Sequence, residues 1–136
     1  MKLMDNACGV AAVRHCGTNI VTIAVDGVNL VAPVLLGDVL RVRARPTFTS
    51  SHSMEIEVSV VAERFQATEE GALRRHEIVT TERAYFTFVS LPLQPTSKVS
   101  SLPMRPLVLS TAQDRSKFEA GRRRYEDRKA RRRHRK

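Results

Sequence analysis

Residues 1–16, MKLMDNACGVAAVRHC, set how the rest of the chain is read. Small and apolar residues dominate the stretch, with only isolated valines, so its texture predicts a helix made for packing. Asp5 is its single carboxylate, in what would be the first turn. Chain ends usually fray, yet this one opens on residues that read as core. A lone acid there is either a first-turn residue favoured by the helix dipole or a group held for chemistry. Gly17 supplies a C-cap. His15 and Cys16 are adjacent, hence about 100° apart on a helix, which argues against a Cys-His nucleophile pair. Cys8 and Cys16 would stand about 12 Å apart on the same helix, too far to bridge. They also lack the partners of a metal site, so no metal and no cofactor is expected, and two free thiols fit a reducing, cytoplasmic setting.

Beyond the helix the texture turns β-branched. Residues 18–30, TNIVTIAVDGVNL, suit a strand. Ala32-Pro33 and Gly37-Asp38 then mark a loop. Residues 39–49 alternate, with Leu40, Val42 and Ala44 on one face and Arg41, Arg43 and Arg45 on the other; Pro46 predicts a bulge or an edge. Residues 53–63 alternate more cleanly, placing Met54, Ile56, Val58 and Val60 opposite Glu55, Glu57 and Ser59. The Arg and Glu rows are expected to pair across one solvated sheet face. Residues 66–75 read as a polar loop, and 77–91, EIVTTERAYFTFVSL, as the longest strand. Asp26 and Asn29 read as turn or edge features.

Residues 92–110 hold four of the six prolines and are expected to track the surface as a linker. Residues 111–136 form a basic helix by composition, with Asp114 near its start, Phe118 and Tyr125 placed to dock, and the last eight residues frayed. The net charge of +9 belongs to this segment: it carries 12 basic against 4 acidic residues, leaving 11 and 10 in the rest. A nearly neutral body and a terminal basic run, RKARRRHRK over 128–136, without aromatic stacking platforms speak against a nucleic-acid partner. No run approaches the roughly 18 apolar residues of a membrane span.

The order is thus helix, four antiparallel strands, linker, helix: an α+β layout with the sheet wrapped around the first helix. Four collinear blocks carry a resemblance: MKLMD with the small-residue helix ending in RHC, then NIVTIAVDGVNL, TFTSSHSMEIEV and AYFTFVSL. Together they resemble the hotdog-fold acyl-CoA thioesterases, in particular the second domain of members that carry two in tandem. The resemblance implies a hotdog domain over 1–91, a linker over 92–110 and a basic C-terminal helix over 111–136. It implies hydrolysis of fatty acyl-CoA to fatty acid and CoA, with Asp5 as the general base for water. Ser50, Ser51, His52, Ser53 and Met54 match the family's strand near the CoA moiety and are the implied CoA contacts. The family pairs two such domains around its sites, so a homodimer or higher oligomer is implied. Three features depart from the family: Asn6 stands where Glu usually follows the helix acid, and His52 where Lys or Arg is usual. The family's strand and glycine-rich turn before the helix also have no match. A non-catalytic or truncated hotdog subunit serving assembly is therefore the alternative.

Overall fold

In the computed structural model, which describes residues 2–17, 19–92 and 101–134, the first helix, α1, spans Lys2–Cys16. Met4, Cys8 and Ala12 recur every four residues, which puts them on one face, and all three are buried. Gly17 ends the helix at φ 67°, its N–H donating to the Val13 carbonyl at 2.7 Å. That positive φ is the left-handed cap that glycine adopts without a Cβ clash.

Four strands follow: β1 (Asn19–Leu30), β2 (Val39–Thr49), β3 (Ser53–Ala67) and β4 (Leu73–Leu91). They pair antiparallel in the order β1-β4-β3-β2. The alternation read from the sequence puts Met54, Ile56, Val58 and Val60 of β3 on the inner face, beside Ala84, Phe86 and Phe88 of β4. These side chains close on Met4, Cys8 and Ala12, so the sheet wraps α1. Val42 and Ala44 of β2 complete that face. The register shift after Pro46 is the irregularity that proline predicts, since it has no N–H for the ladder.

The second helix, α2, spans Ala112–His134 and lies on the sheet's other face. Its start is a capping box: the Thr111 hydroxyl accepts from the Asp114 N–H at 3.0 Å, while the Asp114 carboxylate accepts from the N–H groups of Ser110 and Thr111. Those backbone bonds, Ser110's first, hold the Asp114 carboxyl below its ordinary value.

Four expectations are corrected here. Half of the segment 66–75 is strand: β3 and β4 stay paired out to Ala67 and Leu73, leaving a turn of 68–72 in which Gly71 takes φ 81°. Its polarity reflects a ladder that runs past the core into water on both faces. The Glu row is not solvated, and its partners are not the Arg row. Glu55 and Glu57 are 3% and 8% exposed beneath α2, and they bond Arg124 and Lys117. Arg45 reaches Asp114 at 2.8 Å instead, and Arg41 reaches Glu63. The connector does more than track the surface. Residues 93–100 lie outside the described residues, but Met104 is buried in the core, and its N–H donates to the Ser51 carbonyl at 2.7 Å. Finally, the helix runs through His134 instead of fraying over its last eight residues, of which Arg135 and Lys136 lie outside the description.

Candidate active site

Asp5 sits in the first turn of α1, where the unpaired N–H groups favour a carboxylate. It is exposed. The Thr22 hydroxyl of β1 donates to Asp5 Oδ1 at 3.3 Å, and no other side chain among the described residues bonds that carboxylate. Asp5 and Thr22 share the rim of a cavity of about 560 Å³. Its helical wall is Gly9, Val10 and Val13; Ile20 and Phe88 form the sheet side. Asn6 adds one side-chain amide and Arg14 one guanidinium. Of the lining residues, Asp5 is the only anion and Arg14 the only cation. Such an arrangement can hold an apolar chain with a reactive polar group at the acid. A carboxylate whose one oxygen is oriented by a hydroxyl can take a proton from water with the other.

Sequence reading missed Thr22. Threonine is an ordinary strand residue, so in the run NIVTIAV its hydroxyl carries no local signal. The signal appears only when β1 folds back antiparallel beside α1 and brings position 22 to position 5.

The segment from Ser50 to Met54 turns from β2 into β3 and lines no part of this cavity. Met54 is fully buried in the core, which removes its side chain as a ligand contact. The Ser50 and Ser53 hydroxyls bond each other, and Ser50 Oγ also accepts from the Ser53 N–H at 3.0 Å. Ser51 and His52 are exposed and bonded to each other at 3.1 Å. Burial, and secondarily the Asp5 charge, pushes the Cys8 thiol up to about 12, so it is no nucleophile near neutrality. His15 donates through Nε2 to the Arg105 carbonyl at 2.7 Å, a structural role. Asp26 belongs to the opposite sheet face, paired with Arg128 at 2.7 Å. Among the described residues no group of His, Cys, Asp and Glu could hold a metal ion.

The profile described as "Thioesterase superfamily" matches residues 1–65, the stretch that holds Asp5, Thr22 and the turn at Ser50–Met54. Over that stretch the chain is similar to this superfamily. It is 41% identical over 132 residues to the cytosolic acyl coenzyme A thioester hydrolase of Homo sapiens, covering 97% of this chain and 32% of that protein. The chain thus spans about a third of that relative's length. Among solved structures, an acyl-CoA hydrolase from Bacillus cereus superposes with a TM-score of 0.76 at 24% identity, covering 96% of this chain and 73% of the other. A hexameric hotdog-fold thioesterase of Campylobacter jejuni matches at a TM-score of 0.58 and 25% identity, covering 76% and 71%. The fold is therefore the hotdog, as the sequence blocks imply: α1 is its central helix and β1–β4 its wrapped sheet.

Proposed function

We propose that the chain is the catalytic half-site of an acyl-CoA thioesterase, hydrolysing fatty acyl-CoA to free acid and CoA. The observation that carries this is the placement of Asp5, held by Thr22 at the rim of an apolar cavity. Asp5 takes a proton from water as the water oxygen bonds to the thioester carbonyl carbon. The tetrahedral intermediate collapses, the carbon–sulfur bond breaks, and the CoA thiolate leaves and is protonated. The Asn6 amide is the side-chain donor at hand for the developing oxyanion. The acyl chain lies against Gly9, Val10, Val13, Ile20 and Phe88. Ser51 and His52, the exposed members of the turn before β3, are the CoA contacts, reached across an interface from a second hotdog domain.

That second domain is a further copy or a tandem repeat, and the assembly is a dimer or higher. Supporting it, Leu3, Val10 and Val13 of α1 and Val21, Ile23 and Val25 of the edge strand β1 are all exposed apolar side chains. The Campylobacter jejuni relative is described as hexameric. A cytoplasmic location rests on the human relative, described as cytosolic. Among the described residues no helix is long and apolar enough to cross a membrane.

The test is hydrolysis of palmitoyl-CoA by the full chain and by Asp5→Asn, with the oligomeric state measured by light scattering. Loss of activity in an assembly of unchanged mass supports the reading; equal rates overturn the role of Asp5. The second reading, a non-catalytic assembly subunit, draws on the same exposed apolar faces. It requires the multimer to form with no hydrolysis by the unaltered chain.

A further inference from the structure

Arg14 is the one cation among the residues lining the Asp5 cavity, and among the described residues it makes no hydrogen bond or ion pair. It lies nine residues beyond Asp5, about 13 Å along the helix axis and half a turn round. The two charged groups therefore flank opposite margins of the helical wall. Gly9 stands between them, and a Cβ there would meet nothing within 4 Å, so the passage is open at its midpoint. Valines line the passage beside it, with Ile20 and Phe88 across from them.

We propose that Arg14 is a specificity-determining residue that receives a carboxylate at the far end of the acyl chain. The favoured substrates are then CoA thioesters of medium-length dicarboxylic acids. This inference rests on the assignment of the cavity to acyl-CoA. A chain laid along the groove strips water from Arg14. A terminal methyl returns nothing to the guanidinium, whereas a terminal carboxylate restores two charge-assisted hydrogen bonds in a planar fork. The span also fits. Carbon–carbon bonds of about 1.5 Å in an extended zigzag advance about 1.25 Å each, so about ten carbons cover the roughly 13 Å of rise between the two residues along the helix axis. The rival occupant of the same passage is the pantetheine arm, with Arg14 meeting a CoA phosphate. Its two amides would then lie along Gly9, Val10 and Val13, whose side chains offer no polar partner. An alkyl chain suits that wall better.

The experiment compares kcat/KM on decanoyl-CoA with that on the mono-CoA thioester of decanedioic acid, for the full chain, Arg14→Leu and Arg14→Lys. The expected preference for the dicarboxylic substrate is about tenfold or more in the unaltered chain. It is lost in Arg14→Leu and partly kept in Arg14→Lys, which retains the charge without the fork. A ratio unchanged by Arg14→Leu overturns the proposal. Equal losses on both substrates also overturn it, since they place Arg14 on CoA itself. Calorimetric binding of decanedioic acid gives a readout independent of turnover: binding that Arg14→Leu weakens supports the proposal, and binding unchanged by Arg14→Leu refutes it. Should Asp5→Asn remain active, the catalytic assignment fails while the Arg14 ratio still stands or falls alone.

Discussion

The two faces of the sheet are held to their helices by different physics. The inner face meets α1 through Met54, Ile56, Val58, Phe86 and Phe88 against Met4, Cys8 and Ala12, a contact with hardly a polar atom in it. The outer face meets α2 through ions: Arg45–Asp114, Glu57–Lys117, Glu55–Arg124 and Asp26–Arg128, spaced along the helix. Aromatic contacts fill the gaps, with Phe48 between Phe118 and Tyr125 and the Arg124 guanidinium 3.6 Å from the Tyr85 ring centroid. The inner contact is non-directional, so α1 can leave a cavity along one margin at little cost. The outer contact is directional, and each ion pair has one place to sit. The candidate site falls on the tolerant side and registration on the exacting one.

Substitutions can separate the two faces. The largest expected effect is on the inner side: Asp5→Asn lowers hydrolysis roughly 10²- to 10⁴-fold, the range of general-base catalysis, with thermal stability unchanged. A melting point that falls with the activity would make Asp5 structural. On the outer side, Arg124→Leu leaves Glu55, whose side chain is 4% exposed, without its bidentate partner. Denaturant titration should show a loss of about 2–4 kcal/mol, with Glu55→Leu added to Arg124→Leu recovering part of it. Gly121→Ala comes next. A Cβ there would lie 2.6 Å from Phe48 Cβ and 2.9 Å from Glu55 Oε1, so α2 must lift, at about 1–3 kcal/mol. Thr111→Ala removes the cap for about 1 kcal/mol.

The faces also differ in pH response. The buried Cys8 thiol ionises near 12 in the folded chain against an ordinary 9.0. Between those values the unfolded chain holds fewer protons, so stability is full below about 9 and falls as pH rises toward 12. Cys8→Ala should flatten that alkaline decline in chemical-denaturation curves. Asp114 has the opposite sign: its lowered carboxyl favours the folded state above its ordinary 3.8, and that contribution is lost as pH falls. Asp114→Asn should blunt the acid limb and leave the alkaline one alone.

The fold was legible in the sequence because it is written in period. The alternation of residues 53–63 and the small, apolar texture of residues 1–16 survive into the structure as the inner face and the helix packed on it. The outer face was misread because alternation says only that Glu55 and Glu57 leave the core. It does not say whether water or a helix 60 residues later meets them. The same blindness hid Thr22, whose meaning depends on a contact 17 residues away in sequence. Asp5 was visible because it is the one acid in an apolar stretch. Arg14 was not, because an arginine in a helix's last turn already has an ordinary reason to be there.

The outer acids have a consequence for the order in which the chain is made. Synthesis runs from the N-terminus, so all four strands leave the ribosome before α2 exists. During that interval the sheet's outer surface carries Asp26, Glu55 and Glu57 with their final partners still unmade. The same surface carries Arg41, Arg43 and Arg45 of β2, so the waiting acids stand among neighbours of opposite sign rather than as a bare anionic patch. When the arginine-rich helix emerges, Lys117, Arg124 and Arg128 give Glu57, Glu55 and Asp26 their final partners, so the outer face is completed last.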